Sequence, residues 1–276
     1  VTIAHMGIEM GQGIHQKMIQ VVAHELGVPH ERIRVAANST DALGHSLIET
    51  GGSIGSEQNA SALRLACKHV RENARRICEL NGLNPNETPL STVAGLALAA
   101  RIPLSDWASS SIYDPQEVGD ADGGFKYWVW GASVVECEID VCTGFYQFTH
   151  ASLCLDVGVS FNPAIDIGQL EGGFVQGLSW VTRERLLYDP TNGRMLNAGA
   201  DNFHIAVPLT VPREFKVKLL PSFNEINAET AYGSKAVGEP PVSLAMAGFI
   251  SLQRDVNAAR SSPAWLNLPA SHMAVR

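Results

Sequence analysis

Residues 162–185, "NPAIDIGQLEGGFVQGLSWVTRER", decide how the rest of the chain is read. Ile167, Leu170, Phe174, Leu178 and Val181 recur at helical spacing, so the stretch predicts a helix with one apolar stripe. Asn162 suits its N-cap and Pro163 its first turn. Gly168, Gly172 and Gly173 lie inside it, and each interior glycine costs roughly 1 kcal/mol against alanine. Close approach of a neighbouring backbone or of a ligand is the usual compensation.

Upstream, "KYWVWGASVVECEID" (126–140) is rich in aromatic and β-branched residues and predicts a strand. "VCTG" turns it, and "FYQFTHASLCLDVG" (145–158) returns it as a hairpin. Nearer the N-terminus, "IHQKMIQVVAHELGVP" (14–29) carries Ile14, Met18, Val21, Val22 and Leu26 on one stripe, stopped by Gly27 and Pro29. "RIRVAA" (32–37) reads as a short β run. Leu63, Ala66, Cys67, Val70, Ala74 and Ile77 give a second stripe within 59–82. Residues 83–125 read as irregular. Downstream, "RLLYD", "GRML" and "REFKVKLL" read as short strands. A last helix starts at Pro240, with Val242, Ala245, Phe249, Leu252, Val256 and Ala259 inward. Helices and strands mix without a regular βαβ repeat, so the expected class is α+β, mixed layers of helices on short sheets.

Composition narrows the function. The 276 residues are 45% hydrophobic and 17% charged, with a net charge of −8, and no basic stripe suits nucleic acid or an anionic membrane surface. No apolar run reaches the length of a membrane span. The five cysteines (67, 78, 137, 142 and 154) form no CxxC, which points to reduced thiols in a cytoplasmic protein. The opening "VTIAHMGIEMGQG" has no initiator Met and starts within a β-like run, so the chain is expected to be a piece of a longer polypeptide, 1–276 as one region with subdomains 1–125 and 126–276.

Four places have chemistry-bearing patterns. In "AHELGVPH", His24 and His30 are six apart with Gly27 and Pro29 between them, which does not fit the HExxH zinc motif; surface histidines are the better reading. "EMGQG" (9–13) stands between a strand and a helix, where glycine and helix-start N–H groups can meet an anion. Gln12 can form two opposite hydrogen bonds with an amide-like or oxo group; the plain alternative is a glycine turn. "ETGGSIGSEQ" (49–58) offers Thr50 and Ser53 hydroxyls beside Gly51 and Gly52, against an ordinary capped helix start. "VGEPP" (237–241) puts Glu239 before two prolines. An acid there gains about 0.3–1 kcal/mol from the helix field, and an ionised, rigidly held carboxylate also suits a general base. Spacing alone leaves both readings of Glu239 open.

"GIEMGQGIHQKMIQVVAHELGVP" (7–29), "NPAIDIGQLEGGFVQGL" (162–178) and "GSKAVGEPP" (233–241), in that order, resemble the xanthine dehydrogenase and aldehyde oxidase family of molybdenum hydroxylases. "WLNLPASHMAVR" (265–276) resembles the approach to the C-terminus in many members. The resemblance covers nearly the whole chain and is weakest over 83–125. It implies the C-terminal part of the molybdopterin-binding region. Gly11, Gln12, Thr50 and Ser53 then hold the pterin and its phosphate, Gln169 lies near the metal's oxo group, and Glu239 is the general base. No side chain ligates the metal directly. Gly51 and Gly52 stand where the family has a small pair beside the substrate ring, and Ser56-Glu57 where it often has Thr-Asp.

The implied reaction hydroxylates an aldehyde or a purine-like N-heterocycle with water-derived oxygen. The implied partners are the small-molecule substrate, upstream molybdenum, flavin and iron–sulfur domains carrying FAD and 2Fe–2S clusters, and a second copy in a homodimer. Without those modules the isolated chain is expected to be inactive. The alternative is a catalytically inactive homologue acting in assembly or dimerisation.

Overall fold

The computed structural model describes residues 1–39, 50–110, 127–220 and 230–275. Residue 49 and residues 111–126, which fall in the predicted glycine loop, the irregular stretch and the start of the predicted strand, lie outside them. The chain divides into two units: 1–128 with 158–162 and 223–235, and 129–157 with 163–222 and 236–276. The chain thus crosses between the units at 128/129, 157/158, 162/163, 222/223 and 235/236.

In the first unit, β1 (Thr2–Ile3) and β2 (Arg34–Val35) pair in parallel across helix α1 (Ile14–Leu26). Helix α2 (Gly55–Leu80) packs on α1. Ile14, Met18, Val21, Val22, Ile33, Leu63 and Cys67 form the shared core. α2 begins four residues before the expected stretch. A third helix, α3 (Leu90–Ala99), occupies part of the region expected to be irregular. Its sequence, "LSTVAGLALA", is apolar nearly throughout, so no stripe stands out. Val93 and Ala97, one turn apart, pack against Ile77 and Cys78 of α2, and this tertiary contact supplies what periodicity lacks.

The second unit is a three-stranded sheet in the order β3 (Gly131–Ile139), β4 (Tyr146–Leu155), β5 (Glu214–Leu219). β3 and β4 are the expected antiparallel hairpin, with a register shift between Glu136 and Cys137; β5 runs parallel to β4. "RLLYD" and "GRML" form no strands, only a single bridge between Tyr188 and Met195; with so few paired residues there is no ladder to extend. Helix α4 (Pro163–Thr182) buries Leu170, Phe174 and Leu178 against Phe148, Leu153 and Leu155 of β4. The last predicted helix is two: α5 (Pro240–Leu244) and α6 (Met246–Ala259), parted at Ala245. Leu252 and Val256 of α6 join this core, whereas Ala259 is exposed.

All five tryptophans are on the surface: Trp107 is 81% exposed, Trp128 56%, Trp130 69%, Trp180 52% and Trp265 89%. The cysteines are unpaired. Cys137 donates to Asp255 Oδ2 at 3.1 Å and accepts from Ser251 Oγ at 3.3 Å. Burial, reinforced by the Asp255 carboxylate, pushes its thiol up to about 12. Burial likewise raises Cys67 to about 11. Cys142 is exposed in the turn joining β3 to β4. Since thiolate is the reactive form, a thiol reagent at pH 8 is expected to label Cys142 first and Cys67 and Cys137 only on unfolding. A fast phase that persists in Cys142→Ser would contradict this.

Candidate functional site

In the first unit the segment after β1 is fastened to the start of α2 by polar contacts. Asn59 Oδ1 accepts from Met6 N at 3.0 Å and Gly7 N at 3.3 Å. Thr50 Oγ1 accepts from Ile8 N at 2.9 Å. Thr50 is therefore joined, across 42 residues of sequence, to Ile8, the residue before the "EMGQG" loop.

Within that loop, Gln12 Oε1 accepts from Met10 N at 2.6 Å and Gln12 Nε2 donates to Ile8 O at 2.7 Å. Gly11 and Gly13 adopt φ of +102° and +75°, which turns successive N–H groups inward, a conformation open to glycine at little cost. These N–H groups, offered to a ligand's anion by the sequence, carry the chain's own Glu9. Glu9 Oε1 accepts from Gly11 N and Gly13 N, both at 2.9 Å, and Oε2 from His15 N at 3.1 Å. Partial burial works against ionisation of Glu9, but the three backbone hydrogen bonds outweigh it and hold its carboxyl below the usual range.

α2 starts behind Ile54, which forms no side-chain cap. Ser53 has φ +58°, a left-handed conformation a residue with a Cβ adopts at some strain. A Cβ added at Gly11 would meet nothing within 4 Å, and one at Gly52 only Ile54 at 3.9 Å, so the surface before both is open. The large cavity of this unit, about 1750 Å³, has Thr50 in its lining but not Gly11, Gln12 or Ser53.

Sequence reading missed a second cluster. Tyr232, at φ +56°, donates to Glu25 Oε1 at 2.7 Å. Arg64 donates to the same oxygen at 3.0 Å and stacks 4.3 Å above the Tyr232 ring. Arg71 pairs with Glu25 Oε2 at 3.1 Å. Burial would raise the Glu25 carboxyl; the hydrogen bonds from Tyr232 and Arg64 and the two guanidinium charges instead hold it low. Nothing periodic marks Tyr232, because its partners come from α1 and α2. His24 lies edge-on to the same ring, and both His24 and His30 are exposed.

In the second unit the interior glycines of α4 separate into two kinds. A Cβ at Gly173 would sit 2.7 Å from Gly238 O and 2.8 Å from Pro241 Cγ. At Gly177, a position not singled out from the sequence, it would sit 2.6 Å from both Ala245 Cβ and Val242 O. These two, one turn apart, form a notch that receives residues 238–245. Gly168 and Gly172 meet nothing within 4 Å. Gln169 is half-buried one turn before Gly173, on the same side of α4. Glu239 follows Gly238, the residue seated in the notch. It is exposed, occupies the N-cap position of α5, and makes no capping hydrogen bond from its side chain.

Comparisons with known proteins show the family. Residues 1–212 match the family described as "Molybdopterin cofactor-binding domain", and the chain belongs to it, within the molybdenum hydroxylases. It is 36% identical over 283 residues to aldehyde oxidase from Homo sapiens, which covers 100% of this chain and 21% of that protein. It is 34% identical over 268 residues to xanthine dehydrogenase/oxidase from Felis catus, covering 95% and 19%. The chain thus spans about a fifth of the length of these relatives. Quinoline 2-oxidoreductase from Pseudomonas putida 86 shares the fold, with a TM-score of 0.76 at 20% identity over 99% of this chain and 36% of that one. The Cu,Mo-CO dehydrogenase has a TM-score of 0.74, also at 20% identity, over 99% and 35%.

Two outcomes are expected. Gly173→Ala or Gly177→Ala destabilises by roughly 1–3 kcal/mol through overpacking, whereas Gly172→Ala is neutral or stabilising by up to about 1 kcal/mol; urea unfolding ranks them, and equal effects at 172 and 173 would remove the notch. The second concerns His5, buried beside the loop. Its Nδ1 accepts from Gly7 N at 3.1 Å and its Nε2 lies 2.9 Å from His15 Nδ1. Burial first, then His15, lower it to about 4, with Glu9 opposing. The folded chain therefore binds fewer protons than the unfolded one between these values. This contribution is complete above about pH 6.5 and is lost as pH falls toward 4. Stability should drop by on the order of 1 kcal/mol from pH 7 to 5 through this group, and His5→Gln should lose that slope.

Proposed function

We propose that this chain is the molybdenum-cofactor-binding part of an oxidoreductase that hydroxylates an aldehyde or an electron-poor carbon of a purine-like N-heterocycle. Water supplies the oxygen and Glu239 is the general base. The observation that carries the reading is the seating of Gly238 in the Gly173–Gly177 notch of α4. It holds an exposed carboxylate on a diproline corner beside the helix that bears Gln169.

The donor set suits the group. With the loop's N–H groups engaged by Glu9, the Gln12 amide and the Thr50 and Ser53 hydroxyls suit a polar heterocycle with a phosphate, and the surface before Gly11 and Gly52 leaves room for one. Bound molybdopterin supplies the metal centre that takes up the substrate's two electrons. In the first unit Gly11, Gln12, Thr50 and Ser53 hold the pterin and its phosphate, and Gly51 and Gly52 leave space for a flat substrate ring. In the second, the Glu239 carboxylate accepts the proton of the water-derived hydroxyl, making that oxygen nucleophilic. Gln169 orients it through its amide. In the complete protein, 2Fe–2S clusters and FAD would carry the electrons onward, and that protein would be a cytoplasmic homodimer. By itself the chain does not turn over.

In the complete protein, Glu239→Ala should keep molybdenum content near normal and cut turnover by about 10²-fold or more. Normal turnover in that variant removes the base assignment. Absence of molybdenum from the purified wild-type protein would favour an inactive homologue serving assembly.

A further inference from the structure

We propose that Glu9 is a positioning residue: its carboxylate locks the "EMGQG" loop so that Gln12 presents its amide in one fixed orientation. The inference rests on the reading of this loop as cofactor-binding and goes beyond it, because Glu9 itself touches no ligand in the scheme.

Three N–H groups, from Gly11, Gly13 and His15, converge on one side chain at 2.9–3.1 Å. A single carboxylate thus satisfies donors that a helix start ordinarily leaves to water or a ligand, and it spans both glycines whose positive φ shapes the loop. Gln12 sits between those glycines. Its amide is tied at both ends, Oε1 to Met10 N and Nε2 to Ile8 O. Ile8 is in turn held by Thr50 through its N–H. An amide fixed at both ends keeps a second lone pair on oxygen and a second hydrogen on nitrogen. The loop therefore offers one acceptor and one donor at a set angle, and Glu9 keeps that angle by fixing the backbone on either side. Without the carboxylate the three N–H groups turn to water, Gly11 and Gly13 regain their conformational freedom, and the Gln12 amide loses its frame.

The test uses the complete protein with its cofactor, in three variants: Glu9→Ala, Glu9→Gln and Gln12→Ala. Each is assayed for molybdenum retained after dialysis, for the spectrum of the molybdenum centre and for melting midpoint. Glu9→Ala should lower retained molybdenum by roughly 10-fold and perturb the spectrum, as loss of an outer support does. Its midpoint should fall by no more than about 5 °C. Glu9→Gln keeps one acceptor oxygen but loses the charge, and should fall between Glu9→Ala and wild type; it decides the matter if Glu9→Ala does not fold. Wild-type metal content and spectrum in the Glu9 variants overturn the proposal. If Gln12→Ala alone lowers retention, only the role of Glu9 falls. If Gln12→Ala is also silent, the reading of the loop as cofactor-binding falls with it.

Discussion

The second unit depends on a backbone-to-backbone contact that no side chain bearing a Cβ would allow. Gly173 and Gly177 let residues 238–245 settle onto α4. The neighbouring stripe of the same helix keeps Leu170, Phe174 and Leu178 buried on β4. Interior glycines weaken a helix by roughly 1 kcal/mol each, but this one is held by its buried face, with apolar side chains contributing about 1.5–3 kcal/mol apiece. The same contact brings Ala245 into the core and leaves Glu239 at the end of a braced turn. Packing and candidate chemistry therefore share one constraint.

The first unit reaches order by a different route. Its helices share an apolar core, but the loop that matters is assembled from polar bonds: Asn59 and Thr50 to the segment after β1, Glu9 to the helix start, Gln12 to its own backbone. Each such bond contributes only about 0.5–1.5 kcal/mol net. Several of them converge on residues 5–15, so the loop keeps its shape without burying much surface. Tyr232, strained at positive φ, is retained because Glu25, Arg64 and Phe161 all hold its side chain.

Much of this was legible from the residues. The stripes of α1, α2 and α4 were read correctly because a 3.6-residue period survives in any helix with one wet face, and the hairpin because β-branched and aromatic residues flank a short turn. α3 escaped because its ten residues are too uniformly apolar to show a stripe. "RLLYD" and "GRML" misled because a single bridge between them does not make a strand ladder. Within the site, Gly173 was flagged by its cost and explained only by Gly238. Glu9 and Tyr232 were invisible in role: one works through backbone N–H groups, the other through partners more than 160 residues away, and neither leaves a periodic trace.

The placement of the tryptophans has an optical consequence. With every indole more than half exposed, the intrinsic fluorescence of the chain reports its skin rather than its interior. Emission already resembles that of indole in water, so melting the core barely shifts it, and a soluble quencher reaches all five rings. Any blue shift therefore signals something laid over the outside of the chain, which makes these residues a ready optical gauge of contact.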